Sequence, residues 1–285
     1  MLRLVLPKGS LEQSVLSLFQ DAGLAVLRDS DREYRGRIDD PRIGEVRILR
    51  PQEIPVYVAR GYFDLGITGL DWIEETGSDV VQILDLGRPV KLVLAVAESD
   101  PAQSAKDLRP GSRISTEYPN ITRRFFSQLG IPVEIFLSYG ATEAKVPDIA
   151  DAVVELTETG STLRQNLMKV IDIVLTSTTL LIMNPQSYQD PEKRSAAEDI
   201  KTLLAGTIAA RGRVLVKLNV SESNLEGVIK VLPAMKAPTV SKLFGNGYMA
   251  VESVVEKSCL NRLIPLLKRL GAEDILEIPI MKIVD

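Results

Sequence analysis

Short runs of strand formers alternate with segments of helical period over the first two hundred residues. That alternation constrains the fold most strongly, because parallel strands need a long crossover and the usual crossover is a helix. "LRLVLP" (2–7) opens as a strand. "KGS" leads into "LEQSVLSLFQDAG", where Leu11, Val15, Leu18, Phe19 and Ala22 share one helical face. Ser10 with Gln13 has capping-box spacing, and Gly23 is a stop signal. "EVRILR" (45–50) and "DLGIT" (64–68) read as strands, with a helix from about Pro51 to Arg60 between them. A second α/β unit begins near "KLVLAVAE" (91–98). It continues through "GSRISTE", the helix "NITRRFFSQLG" and the strand "VEIFLS". "IDIVLTS" and "TLLIMN" carry the chain onward to the helix "DPEKRSAAEDIKTLLAGTIAARG".

At Arg213 the rhythm changes. "RVLVKLNV", "SNLEGVIKVLP", "APTVSKLF", "GYMAVESVVEK", "CLNRLIPLLKRLG" and "EDILEIPIMKIV" read βαββαβ, the order of a ferredoxin-like unit. Gly245-Asn246-Gly247 suits the hairpin turn between its middle strands.

The chain of 285 residues contains no histidine, which excludes Ser-His-Asp triads, imidazole bases and histidine metal ligands. Chemistry therefore rests on carboxylates, cations, hydroxyls, backbone amides and any metal brought in by a substrate. Cys259 is the single cysteine, so no intrachain disulfide forms, which fits a reducing cytoplasm. Residues 1–7 read as an opening strand rather than a signal peptide, and no apolar run approaches the ~20 residues of a membrane span. A net charge of −4 argues against a duplex nucleic-acid partner.

Four stretches have the composition of a site. In "DAVVELTETGSTL" (151–163) a strand ends in acids and passes through a Gly/Ser/Thr loop toward a helix. Amides of Gly160, Ser161 and Thr162 could converge there on a phosphate, while Glu155 accepts from sugar hydroxyls. Thr159 supplies a further donor, and Glu158 lies beside the loop. A capped helix after a solvated turn explains the same residues. In "LPKGSL", Lys8 stands where a strand meets a helix and suits a polyphosphate, or is merely exposed. In "DLGITGLD", Gly69 lets a flat ring approach the backbone and Asp71 accepts from an amine; a tight turn with an Asp cap is the plainer reading. "STEYPNITRRFF" offers Tyr118 for stacking, Asn120 as a helix cap, and Arg123 and Arg124 against phosphates. Arg50 and Glu143 are weaker candidates of the same kind.

Together "LPKGSL", "RPQEIPVYVARGYFDLGITGLDWI", "STEYPN", "DAVVELTETGSTL" and "LPAMKAPTVSKL" with "LKRLGAEDILEIPI" make the chain resemble the long form of ATP phosphoribosyltransferase, the first enzyme of histidine biosynthesis. The resemblance implies an α/β fold of two periplasmic-binding-protein-like (type II) lobes joined by two crossovers, plus a C-terminal ferredoxin-like ACT-type regulatory domain. Its implied boundaries are 1–91 with 182–211, then 92–181, then 212–285. It implies transfer of phosphoribose from phosphoribosyl pyrophosphate to N1 of ATP, with Mg²⁺ held mainly by substrate phosphates. Histidine would inhibit, with Thr239 and Ser241 as its contacts, and a homo-oligomer, dimer or hexamer, is implied. Thr159 to Leu163 would hold the 5-phosphate and Glu155 the ribose hydroxyls. Asp71 and Tyr118 would line the nucleotide pocket, with Lys8 and Arg50 near phosphates. Two positions depart from the family pattern: Ser10 replaces an arginine, and Leu167 stands where a glycine conformation is expected. The rival from another class is a non-catalytic, amino-acid-responsive two-lobed binding protein.

Overall fold

Strand formers and helical segments fall in the expected alternation in the computed structural model, which describes residues 1–30, 32–245 and 247–284. In chain order the first elements are β1 (Leu2–Pro7), α1 (Glu12–Asp21), β2 (Arg35–Gly36), β3 (Ile43–Leu49), α2 (Ile54–Ala59), β4 (Leu65–Gly69), α3 (Leu70–Thr76) and β5 (Val81–Asp85). β6 (Val90–Ala97), β7 (Ser112–Thr116), α4 (Pro119–Leu129), β8 (Val133–Leu137), β9 (Ala152–Thr157), α5 (Ser161–Gln165) and β10 (Met168–Ser177) follow. Then come β11 (Thr179–Met183), α6 (Pro185–Gln189), α7 (Pro191–Ala210), β12 (Arg213–Ser221), α8 (Leu225–Val231), β13 (Thr239–Lys242), β14 (Tyr248–Glu256), α9 (Lys257–Arg269) and β15 (Ala272–Pro279).

The first sheet has the order β2-β3-β1-β4-β11-β5 and the second β10-β6-β9-β7-β8. Apart from the short edge strand β2, both follow one plan. Three parallel strands are succeeded by one antiparallel strand and a last strand. The antiparallel member is in each case the strand that has just crossed between sheets: β6 on the way out and β11 on the way back. Two crossovers therefore join two lobes, as expected of the type II arrangement.

A buried ion cluster fixes the first lobe. Asp64, fully buried just before β4, accepts from Arg3 N–H at 2.8 Å, Ser187 Oγ at 2.7 Å and Lys193 Nζ at 2.9 Å. Burial pushes its pKa up, but the bonds from Arg3 and Lys193 outweigh burial and hold the carboxyl well below the usual range. A depressed native pKa contributes stability above the unfolded pKa and loses it as pH falls through the native one. Asp64→Asn is expected to lower the unfolding free energy by about 3 kcal/mol, read as a lower urea midpoint at neutral pH. A midpoint unchanged at neutral pH would show that the cluster contributes nothing.

The chain splits into two compact units, Met1–Ser17 with Leu24–Lys201, and Leu18–Gly23 with Thr202–Asp285. Both lobes lie in the first. In the second, the sheet order β13-β14-β12-β15 is the ferredoxin-like arrangement. Val214, Val216, Leu218 and Val220 alternate inward on β12 against Leu260, Leu263 and Leu267 of α9. Thr239 and Ser241 lie on β13, which is exposed throughout and pairs with β14 on one side. Asn246 of the expected hairpin turn lies outside the described residues; Gly245 and Gly247 beside it both have positive φ, 125° and 78°.

Three local expectations change. The Ser10–Gln13 capping box is replaced one step earlier, where the Glu12 carboxylate accepts from Gly9 N–H at 3.4 Å. Asn120 does not cap α4: Tyr118 holds that position and Pro119 occupies the first turn. Leu167 does enter the left-handed region, with φ 53°, and ends α5 by donating its N–H to Arg164 O. Its side chain is 70% exposed, so little burial would be lost on replacement. Left-handed leucine costs about 1–2 kcal/mol and the extra chain entropy of glycine about half of that, so Leu167→Gly should stabilise by about 0.5–1 kcal/mol. Chemical denaturation tests this; a loss of stability would contradict it.

Candidate functional site

The parallel strands of both lobes direct their carboxyl ends into one cleft, where ligands of open α/β sheets bind. Lys8 follows β1, Arg50 follows β3, Gly69 ends β4 with Asp71 just beyond it, Tyr118 follows β7, and Glu155 to Thr157 end β9 with Glu158 next. All of them line a cavity of about 440 Å³. A second cavity of about 310 Å³ lies against the 159–163 loop, and Glu155, Leu156, Thr157 and Glu158 line both. Two neighbouring spaces thus share one wall, and Glu155 stands in it.

On the first-lobe side Lys8 holds its ammonium 4.3 Å from the centre of the Tyr34 ring. Arg50 and Ser10 are exposed at the cleft mouth. Asp71 is nearly buried. Its N–H donates to Ser177 Oγ at 3.0 Å, and the Ser177 hydroxyl donates back to the carboxylate at 2.5 Å. Burial raises its pKa, opposed by bonds from Ser177 and Tyr118. Asp71 is not the cap of α3, a position held by Gly69. Gly69 is glycine for a local reason: a Cβ there would lie 2.1 Å from Asp71 Oδ1. Tyr118 packs on Trp72 with ring centroids 4.4 Å apart. Burial, then the adjacent Asp71 charge, pushes its hydroxyl far above the usual tyrosine range, so it remains an O–H donor.

In the 151–163 stretch, Glu155 pairs in register with Val93 of β6. Burial raises its pKa; Thr142 opposes the shift, and the charges of Glu117 and Glu143 add to it. The loop is more internally bonded than a bare amide cradle. Thr157 Oγ1 accepts from Gly160 N–H at 2.8 Å, and Thr159 Oγ1 accepts from Ser161 N–H at 3.4 Å. Gly160 takes φ 72° and begins α5. Ser161 and Thr162 are exposed, whereas the Leu163 side chain is buried against Val93, Ala95, Val153 and Met168. Leu163 therefore anchors the loop.

Arg123 and Arg124 do not line either cavity. Arg123 donates to Asn120 Oδ1, and Arg124 donates to Glu74 O at 2.8 Å. The structure adds residues that sequence alone did not single out: Ser177, Thr157, Arg88 and Gln52 on the larger cavity, and Arg164 beside Gly160. Arg88 has φ 70° in the first crossover, and Gln52 Oε1 is shielded without a partner. Only Arg164 had a usable signal, a cation four residues beyond the loop glycine. Among the described residues no three or more Asp, Glu or Cys side chains converge to hold a metal, and no helix is long and apolar enough to cross a membrane.

Residues 50–206 match the family described as HisG: ATP phosphoribosyltransferase, and residues 210–282 match HisG, C-terminal domain. An ATP phosphoribosyltransferase of Chlorobium luteolum is 46% identical over 290 residues, covering 100% of this chain and 98% of that protein. One from Desulforudis audaxviator is 44% identical over 289 residues, covering 99% of each. A chain of the solved ATP phosphoribosyl transferase (HisG:HisZ) complex from Thermotoga maritima superposes with a TM-score of 0.62 at 26% identity, covering 72% of this chain and 98% of that one. Nothing in these matches favours the non-catalytic binding protein. With its catalytic segment and its C-terminal domain both matched, and relatives alike along the full length, the chain belongs to the ATP phosphoribosyltransferase family.

Proposed function

We propose that this enzyme joins N1 of ATP to C1 of phosphoribosyl pyrophosphate and releases pyrophosphate, the first step of histidine biosynthesis. The observation that carries this is the shared wall: the larger cavity has Asp71 and Tyr118 for a base and Lys8 and Arg50 for phosphates. The smaller has the Thr159–Leu163 loop for a sugar phosphate, and Glu155 borders both. Bond breaking at C1 develops positive charge on the ribose and negative charge on the leaving group. Glu155 accepts from the ribose hydroxyls and faces the positive sugar, while Lys8 and Arg50 oppose the negative charge. The adenine nitrogen is already a nucleophile, so the reaction needs alignment of two anions rather than an imidazole base. Mg²⁺ is assigned to the substrate phosphates, and held there it would supply neutralising charge for the leaving group. Asp71, held by Ser177 and Tyr118, is assigned to the exocyclic amine.

For the C-terminal domain we assign regulation by histidine, with Thr239 and Ser241 as low-rank contact candidates, and self-association into a dimer or hexamer. Coupling requires that histidine bind the less active arrangement more tightly. A cytoplasmic location is in keeping with this pathway step. The test is pyrophosphate release on mixing the full chain with ATP, phosphoribosyl pyrophosphate and Mg²⁺. Release dependent on both substrates is expected; release with other nucleotides but not ATP would overturn the choice of acceptor. Added histidine should slow the reaction, and an unchanged rate would remove the regulatory assignment.

A further inference from the structure

Helix α3 follows a first-lobe strand and serves both lobes: Ile73 joins the first lobe's core with Val5, Ile54 and Val58, while the opposite side of the helix faces the second lobe. Trp72 is buried in the second lobe's core with Leu92, Leu94, Ile114 and Val154. One turn later Glu75 is 7% exposed and belongs to no part of the proposed chemistry. Its two carboxylate oxygens accept from Asn120 N–H at 2.9 and 3.0 Å, and Oε2 also accepts from Ile121 N–H at 2.9 Å. Asn120 Nδ2 donates back to the Glu75 carbonyl at 3.0 Å. Tyr118, at the cap position of α4, supplies no side-chain bond to its own helix. The first N–H groups of a helix have no partner within it, and its positive end favours a carboxylate. The cap of α4 therefore comes from the other lobe, 45 residues earlier in the chain.

We infer that Glu75 is a positioning residue for nucleotide recognition: it brackets the start of α4 to α3 and so sets Tyr118 against Asp71. This rests on the reading of the larger cavity as the nucleotide pocket. The geometry makes the effect selective. Asp71 and Gly69 come from the first lobe and Tyr118 from the second, so that pocket depends on how α3 meets α4. Glu155 and the 159–163 loop all come from the second lobe, so the pocket for the ribose and its 5-phosphate does not, and only the pyrophosphate end of the donor meets the first lobe at Lys8 and Arg50. Glu75 does not line either cavity. It acts through Tyr118.

Glu75→Gln keeps the side-chain shape but leaves one acceptor and turns an NH₂ toward backbone donors. KM for ATP should rise about tenfold, the expected loss for one charged hydrogen-bond set, with KM for phosphoribosyl pyrophosphate within about twofold of wild type. Hydrogen exchange at the amides of Asn120 and Ile121 should accelerate in the same variant. A rise in both KM values by the same factor, or faster exchange with both KM values unchanged, would reduce Glu75 to a structural cap and overturn the inference. Unaltered exchange at 120 and 121 would remove the bracket itself. The exchange readout stands whether or not ATP is the acceptor, so a failed functional reading is visible separately. If Glu75→Gln does not fold, Asn120→Ala leaves the Glu75 carboxylate on the backbone of α4 and loses the return bond to the Glu75 carbonyl, along with the exposed bond from Arg123. It should raise KM for ATP selectively by a smaller factor, and no selective rise there contradicts the inference.

Discussion

Glu155→Gln is expected to lower turnover by about 10²–10³-fold at saturating substrates while raising the melting temperature. The two effects have one cause. Burial, with help from Glu117 and Glu143, raises the native pKa of Glu155 above its unfolded value. A carboxyl with a raised native pKa holds its proton more tightly when folded, so stability falls as pH climbs from the unfolded pKa through the native one. Above the native pKa the fold bears the penalty of an ionised, desolvated carboxylate. Glutamine removes that penalty together with the charge proposed to face the positive ribose. The melting-temperature gain should be present at neutral pH and shrink on acidification. The acid limb of kcat/KM in the wild type should lie above the ordinary carboxylate range for the same reason. Near-normal turnover in the variant would reject the role assigned to Glu155; a lower melting temperature at neutral pH would reject the electrostatic argument.

Gly160→Val is expected to raise KM for phosphoribosyl pyrophosphate by about 100-fold, with KM for ATP within about twofold. Gly160 sits at φ 72°, and a Cβ there would come 3.0 Å from Arg164 Nη1. A β-branched residue in the left-handed region is a steric outlier. The loop must then leave the conformation that sets Thr159, Ser161 and Thr162 along the smaller cavity. Leu163 anchors the far end of the loop in the second lobe's core, so the distortion falls on residues 158–162 rather than on the fold. Of residues 158–162 only Glu158 also lines the larger cavity, so the effect on ATP stays small. Substrate titrations read both constants, and circular dichroism checks that the variant folds. An unchanged KM for phosphoribosyl pyrophosphate would sever the loop from that substrate.

The legible parts of the fold were those whose pattern is local. β12 places an apolar residue at every second position, and α9 repeats leucines every three or four residues, so the C-terminal unit could be read directly. α3, β5 and α6, at seven, five and five residues, are too short to show a period. The site divides in the same way. Glu155 and the 159–163 loop lie in one contiguous stretch with a strand before it, and spacing pointed to them. The partnership of Asp71 with Ser177 spans 106 residues and has no local signature. Asn120 has the composition of a cap, yet the cap came from Glu75, because Pro119 already occupies the first turn and the cap position fell to Tyr118. Leu167 shows the limit of residue preference: an exposed leucine tolerates a left-handed φ when α5 must end there.

Diffraction from crystals of the full chain soaked with phosphoribosyl pyrophosphate and Mg²⁺ tests the central claim most directly. The account predicts the 5-phosphate within hydrogen-bonding distance of backbone amides in residues 159–163, with the ribose 2- and 3-hydroxyls on Glu155. A ligand seated elsewhere, with that loop and Glu155 untouched, would contradict it.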